Sequence, residues 1–235
     1  WQYIFGRGLT IFVLLNLYLY FEEGANFYKN YKKIGKSGLL GGCGLGIAMI
    51  SFIYSITNTT AAITLLCLAA MPFFTALLAF LFLKERISIN VWISIILATI
   101  GIIIMALGNT EKNSVIGFIF GITSSIGFSV FSVTLRWRKE TPKFTTVAIA
   151  GLFCFILATI MILSKNQPFF ATSYNSSMFS IHGTLVCLGL ILYSIGSKAI
   201  PAAELTLLSL TEVIGGIFWV WLPLFGINEI PSTNT

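Results

Sequence analysis

"AAMPFFTALLAFLFLKERIS", residues 69–88, decides how this chain is built. Fifteen residues pass without a charge before Lys84-Glu85-Arg86 close the run. Pro72 sits inside it, where proline removes a backbone donor and clashes with the preceding turn. A soluble helix would break there. A helix in a bilayer tolerates the residue where neighbouring helices or cavity water satisfy the freed carbonyl. The run from Ala61 onward is continuous and apolar, so the expectation is a helix kinked at Pro72 and bowed around a central cavity. The competing reading, left open, is a helix that starts near residue 70 with Pro72 in its first turns. Glu85 reads as an interfacial clamp that fixes helix depth and pairs with a neighbouring loop, not as a substrate ligand.

Working outward, the chain has 235 residues, of which 57% are hydrophobic and 9% charged, against about 25% charged in a soluble domain. So few charges cannot cover a water-facing surface, and the bilayer class follows. The net charge of +6 does not point to nucleic acid, because the basic residues fill short gaps between apolar runs rather than a dense polar patch. Asp is absent and His occurs once, at His182. The four cysteines lie singly in apolar runs with no Cys-x-x-Cys or Cys/His pair. No metal site, cofactor or disulfide framework is therefore expected. "GGCGLG" (41–46) lacks the following Lys-Ser/Thr of a phosphate loop and reads as close helix packing.

Eight runs reach membrane-spanning length, roughly 3–21, 38–57, 60–83, 89–108, 114–135, 144–164, 179–198 and 203–225. They are too long and too uniformly apolar for barrel strands. Every second gap is basic: Lys29, Lys32, Lys33 and Lys36; Lys84 and Arg86; Arg136, Arg138, Lys139 and Lys143; Lys198. That set holds eleven of the fourteen basic residues, and the opposite set holds Arg7, Lys112 and Lys165. The first set is therefore cytoplasmic, with both chain ends on the outer face. Arg7, near the outer end of its helix, reads as a snorkelling anchor. Trp219 and Trp221 read as outer interfacial anchors.

The chain also resembles itself. "AAITLLCL" (61–68) returns as "AAELTLLSL" (202–210), and "FIYSI" (52–56) as "LYSI" (192–195). Both copies end on a Glu with a Ser three positions on, Glu85 with Ser88 and Glu229 with Ser232, although the second copy is three residues longer. The first copy ends in the cytoplasm and the second outside. That is an inverted repeat, the architecture of secondary transporters.

These residues resemble the EamA-type drug/metabolite transporter superfamily. Its members carry alanines, a mid-helix proline and a terminal Glu thirteen residues on, as Pro72 and Glu85 do here. "YIFGRG" (3–8) resembles the start of the family's second helix, and "IGFIFGITSSIGFSVFSVTLRWRKE" (116–140) its sixth. The second copy departs from the pattern: "TEV" (211–213) stands where the family often has a Glu-Pro pair. The resemblance implies an all-α polytopic membrane helix bundle of two inverted five-helix repeats, with eight of ten expected transmembrane helices present. It divides the chain into 1–110, lacking its first helix, and 111–235, lacking its last. It implies a permease that exports a small metabolite such as an amino acid. Uptake of a nucleobase, sugar or cationic solute, and a non-transporting scaffold, stay open as alternatives.

The candidate site gathers polar and special residues at mid-membrane positions. Glu212 is the sharpest, an acid deep in an apolar run with no basic neighbour in sequence. A charge there costs about 2.5–3.5 kcal/mol on insertion scales, so it should face a wet cavity, find a partner or be protonated. Tyr54 and Asn58 share a helix face, and Tyr193 and Ser197 repeat that pair. Ser125, Phe128, Ser129 and Ser132 fall on one stripe, although small polar stripes also serve tight helix packing. Pro72 completes the expected substrate-binding set of nine, which takes Ser125, Phe128 and Ser132 from that stripe but not Ser129. The expected partners are the bilayer, a small-molecule substrate, a proton as coupling ion, and a second copy in a homodimer. With no Asp, one His near a helix end and no Cys/His constellation, an intramembrane enzyme is not expected. Neither charge rings nor a filter loop, the marks of a channel, are visible.

Overall fold

The computed structural model describes residues 1–85, 87–108, 115–138, 140–170 and 173–221, with the backbone alone at 98, 101–108, 173–176, 217 and 219–221. Arg86, Lys112, Lys139, Glu229 and Ser232 thus lie outside the described residues, and so do the side chains of Trp219 and Trp221. The chain runs through α1 (Gln2–Glu23), α2 (Tyr28–Lys33), α3 (Gly35–Asn58), α4 (Ala61–Leu68), α5 (Met71–Leu78), α6 (Ile89–Gly108), α7 (Val115–Trp137), α8 (Lys143–Ser164), α9 (Ser173–Gly196), α10 (Ala202–Leu208) and α11 (Leu210–Trp221). No strand occurs among the described residues. Among the described residues six segments are long and apolar enough to cross a membrane: Gln2–Lys33, Gly35–Asn58, Ala61–Leu83, Val115–Trp137, Lys143–Ser164 and Ser177–Gly196. The other two apolar runs form α6 and the α10–α11 pair.

The helices are apolar all round, which marks lipid as their solvent. On α1, Ile4, Ile11, Leu15 and Leu19 are buried, while Val13, Leu17 and Phe21 on the other face are exposed, Phe21 at 82%. The buried sides of α1, α3, α7, α8 and α9 share one core, built on Ile11, Leu15, Leu45, Phe131, Val147 and Cys187. Backbones approach closely at two glycine crossings. A Cβ on Gly127 of α7 would lie 2.6 Å from the Gly44 carbonyl of α3, and one on Gly8 of α1 would lie 2.8 Å from the Gly151 carbonyl of α8. Lipid supplies no hydrophobic drive between helices, so such contact supplies the adhesion.

The run through Pro72 is not one kinked helix. α4 ends at Leu68, Ala69 and Ala70 form a turn, and α5 starts at Met71 with Pro72 in its first turn. The later-starting helix is the reading that holds. The physical reason is that the first-turn N–H groups of a helix have no intrahelical partner, so proline removes nothing needed there. α5 continues as a π-turn over Ala79–Leu83 and stops at Lys84, whose φ of 54° is left-handed. The second copy breaks at the matching place, with Ser209 between α10 and α11. The broken helices cross so that α4 packs on α11 and α5 on α10.

The basic loops converge on one end of the bundle. Arg136 pairs with Glu85 at 2.8 Å and donates to the Ile200 carbonyl at 2.6 Å. Lys143 donates to Ser197 Oγ at 2.9 Å, and Ser37 bonds Thr141 at 2.7 Å. Glu85 thus has a charged partner, but in the last turn of α7 rather than in the loop expected for it. At the opposite end Gln2 donates to the Pro168 carbonyl and Tyr3 bonds His182.

Candidate functional site

A cavity of about 430 Å³ lies where the two helix breaks meet. Leu68 and Met71 flank the first break and Ser209 and Glu212 belong to the second. α3 contributes Leu45, Ala48, Met49 and Phe52, and α9 contributes His182, Leu185, Val186, Gly189 and Tyr193. Both sets repeat every three or four positions, as one face of a helix must. Arg7 from α1 and Ser124 and Phe128 from α7 close the wall. The walls are mainly apolar with a few convergent polar groups, which is the make-up of a small-molecule site.

The breaks explain how charge is tolerated here. In an unbroken helix Glu212 would sit mid-span. The break at Ser209 puts it instead in the first turn of α11, where the unpaired N–H groups and the helix dipole favour an acid. Its carboxylate has no ion-pair or hydrogen-bond partner among the described residues and opens to the cavity. The sequence reading expected Arg7 to snorkel to the interface, and it does not. It is 3% exposed, and its terminal amine donates to the Met49 carbonyl at 2.7 Å while Nε has no partner. Packing buries the guanidinium beside Met49, where it lines the cavity.

Of the nine expected substrate-binding residues, Phe128, Tyr193 and Glu212 line the cavity. Ser132 stands one layer behind. It donates to the Phe128 carbonyl, which leaves its oxygen to accept from the Tyr193 hydroxyl at 2.6 Å. Ser125 is fully buried and donates to the Cys67 carbonyl at 2.5 Å, and the Ser129 hydroxyl is shared between the Ser125 carbonyl of its own helix at 2.8 Å and the Met71 carbonyl at 3.1 Å. These two serines clasp the carbonyls on either side of the first break. Pro72 is buried beside that break, outside the cavity lining. Tyr54 and Asn58 lie at the C-terminal end of α3. Tyr54 packs its ring 5.3 Å from Trp1 and 5.2 Å from Phe120, and Asn58 bonds back to the Tyr54 carbonyl. Ser197 lies at the basic end under Lys143. The structure thus brings three of the nine together and distributes the other six through helix packing and the two ends.

Sequence reasoning missed Arg7, His182, Ser124 and Ser209 as cavity residues. For His182 a signal existed: His182, Gly189 and Tyr193 share a stripe on α9. For Arg7 none did, because an arginine near a helix end is read as interfacial unless its helix is known to be walled in.

Comparison with known proteins decides the family. A family model described as the EamA-like transporter family matches residues 1–107. A Haemophilus influenzae protein named only as an uncharacterized transporter is 30% identical over 228 residues, covering 90% of this chain and 72% of its own. The chain belongs to the EamA-like transporter family. Two Helicobacter pylori proteins, from strains J99 and 26695 and of the same name, are 25% identical over 228 residues, covering 92% of this chain and 74% of theirs. This EamA-like protein is therefore a multi-pass integral membrane protein of a transporter family, and its apolar helices and shared cavity are the matching physical features.

Proposed function

We propose that this EamA-like protein is a secondary-active permease of the bacterial inner membrane. It exports a small metabolite by alternating access around the cavity at the two helix breaks. The observation that carries the reading is that both breaks open on one cavity, with an unpaired carboxylate in the first turn of the second. Discontinuous helices meeting at mid-membrane are how transporters place polar groups without exposing backbone to lipid. The antiparallel crossing of α4–α5 with α10–α11 supports reading residues 1–110 and 111–235 as inverted repeats. Rocking one repeat against the other would open the cavity first to one side and then to the other. Glu212 is the coupling site in this reading, holding either a proton or a cationic group of the substrate.

The test uses the complete gene in a host deleted for similar permeases. Cells loaded with mixed amino acids, purines and polyamines are compared, medium against cytosol, by mass spectrometry. Wild type is expected to redistribute one solute and Glu212→Gln, at equal membrane expression, to lose that redistribution. Wild type that moves no solute under any imposed gradient would sink the permease reading. A mutant that matches wild type would retain transport and remove Glu212 from the coupling role.

A further inference from the structure

A second cavity, of about 420 Å³, opens at the basic end of the bundle. Lys33 and Ile34, where α2 passes into α3, form one wall, and Arg138, Glu140 and Thr141, between α7 and α8, form the other. Buried Thr141 bonds Ser37 at 2.7 Å, which ties the two walls together. At the junction Gly35 has a φ of 58°, a conformation that glycine adopts without strain. A Cβ on Gly35 would lie 3.2 Å from a terminal nitrogen of Arg138. The guanidinium is thus drawn against the α2–α3 junction, far from it in sequence.

The charge at this opening is one-sided. Lys29, Lys32, Lys33, Lys36 and Arg138 are all exposed, and none forms an ion pair among the described residues. Glu140 is the single acid among the described lining residues. Cations held on neighbouring segments repel one another, and an anion between them relieves that repulsion. Exposed apolar side chains flank the charges. The Lys32 ammonium lies 5.9 Å from the centre of the Tyr28 ring, and exposed Trp137 precedes Arg138. Leu39 and Leu40 are exposed one turn into α3, inside a membrane-crossing segment.

We infer that this cavity binds the phosphodiester of an anionic phospholipid with a glycerol headgroup, its acyl chains lying along Leu39 and Leu40. The Arg138 guanidinium supplies a planar fork for two phosphate oxygens, and Lys33 supplies a point charge. Glu140 supplies an acceptor for the headgroup hydroxyls. Basic pockets between transmembrane helices take lipid headgroups in this way. A free phosphate would meet the charges and leave the flanking hydrocarbon unused. A zwitterionic lipid would bring its own cation against the lysines. The site is separate from the cavity at the helix breaks, with which it shares no lining residue.

Native mass spectrometry of the full-length protein reads the binding, with phosphatidylglycerol, phosphatidylethanolamine and phosphatidylcholine of identical chains as probes. Wild type should bind phosphatidylglycerol about tenfold or more tightly than either zwitterionic lipid. Lys33→Gln and Arg138→Gln should each weaken it about fivefold, and together about 25-fold. Lys29→Gln with Lys32→Gln removes two charges from the same surface but none from the cavity, and should cost about fivefold or less. All four side chains are exposed, so the variants are expected to fold as wild type does. Inorganic phosphate and glycerol 3-phosphate should fail to displace the lipid. Equal binding of the three lipids overturns the proposal. A loss at Lys29 and Lys32 as large as that of the cavity pair also overturns it, by reducing the site to diffuse surface charge. Displacement by the soluble phosphates overturns it too, since the cavity would then hold phosphate and not lipid.

Discussion

At the scale of single residues, a hydroxyl decides whether the helix break is stable. Ser125 and Ser129 are fully buried and donate to the Cys67 and Met71 carbonyls on either side of the turn at Ala69–Ala70. Interhelical hydrogen bonds in membranes contribute about 0.5–2 kcal/mol each, so the pair is a visible part of the bundle's stability. Ser125→Ala with Ser129→Ala should lower the thermal midpoint of the detergent-solubilised protein. Thr123→Ala should leave it in place, because Thr123 is half-buried and its hydroxyl bonds only to the Ile119 carbonyl of its own helix. A shift from Thr123→Ala as large as the double change would show that the serines act through helix propensity and not through the break. Ser125 was legible in the sequence as a polar residue on a polar stripe. Its direction toward a carbonyl rather than toward substrate was not, because a serine serves either end equally well.

At the scale of elements, contact between backbones holds the bundle. The α3–α7 crossing puts a Cβ on Gly127 2.6 Å from the Gly44 carbonyl and 3.0 Å from the Ala48 nitrogen. Neither is the tip of a flexible side chain, so neither can move aside. Gly127→Val should cost about 1–3 kcal/mol by overpacking, and the purified protein should lose its monodisperse peak on size exclusion. Gly215→Ala is the control: a Cβ there meets nothing within 4 Å. If Gly127→Val matched that control, α3 and α7 would not be in close contact. The glycines were expected from sequence to mark tight packing. Which helix each glycine meets was not readable, since a close-approach residue names no partner.

At the scale of the whole molecule, charge orients the bundle. The four basic gaps are far apart in sequence but meet at one end, through Arg136 with Glu85 and Ile200 and through Lys143 with Ser197. Lys36 is exposed beside that end, and Lys165 is exposed after α8, at the other. With Lys36→Cys and Lys165→Cys introduced singly and the half-buried Cys43 replaced by Ala, an impermeant maleimide should label the second in intact cells. The first should react only after permeabilisation. The reverse pattern would overturn the orientation taken from Lys and Arg counts.

Apolar run length, the placement of lysine and arginine, and the repeat of "AAITLLCL" in "AAELTLLSL" determined by themselves the membrane class, the number of helical runs and the resemblance to the EamA family. Those properties are local: solvent and helix length act on each segment without reference to the others. The tertiary structure alone decided that α4 and α5 are separate helices, that Arg7 is walled in, and that Arg7 and Glu212 share a cavity. A helix in lipid is apolar on its inner and outer faces alike. Its sequence therefore lacks the amphipathic contrast that tells core from surface in a soluble protein, and only the packing shows which face of each helix turns inward.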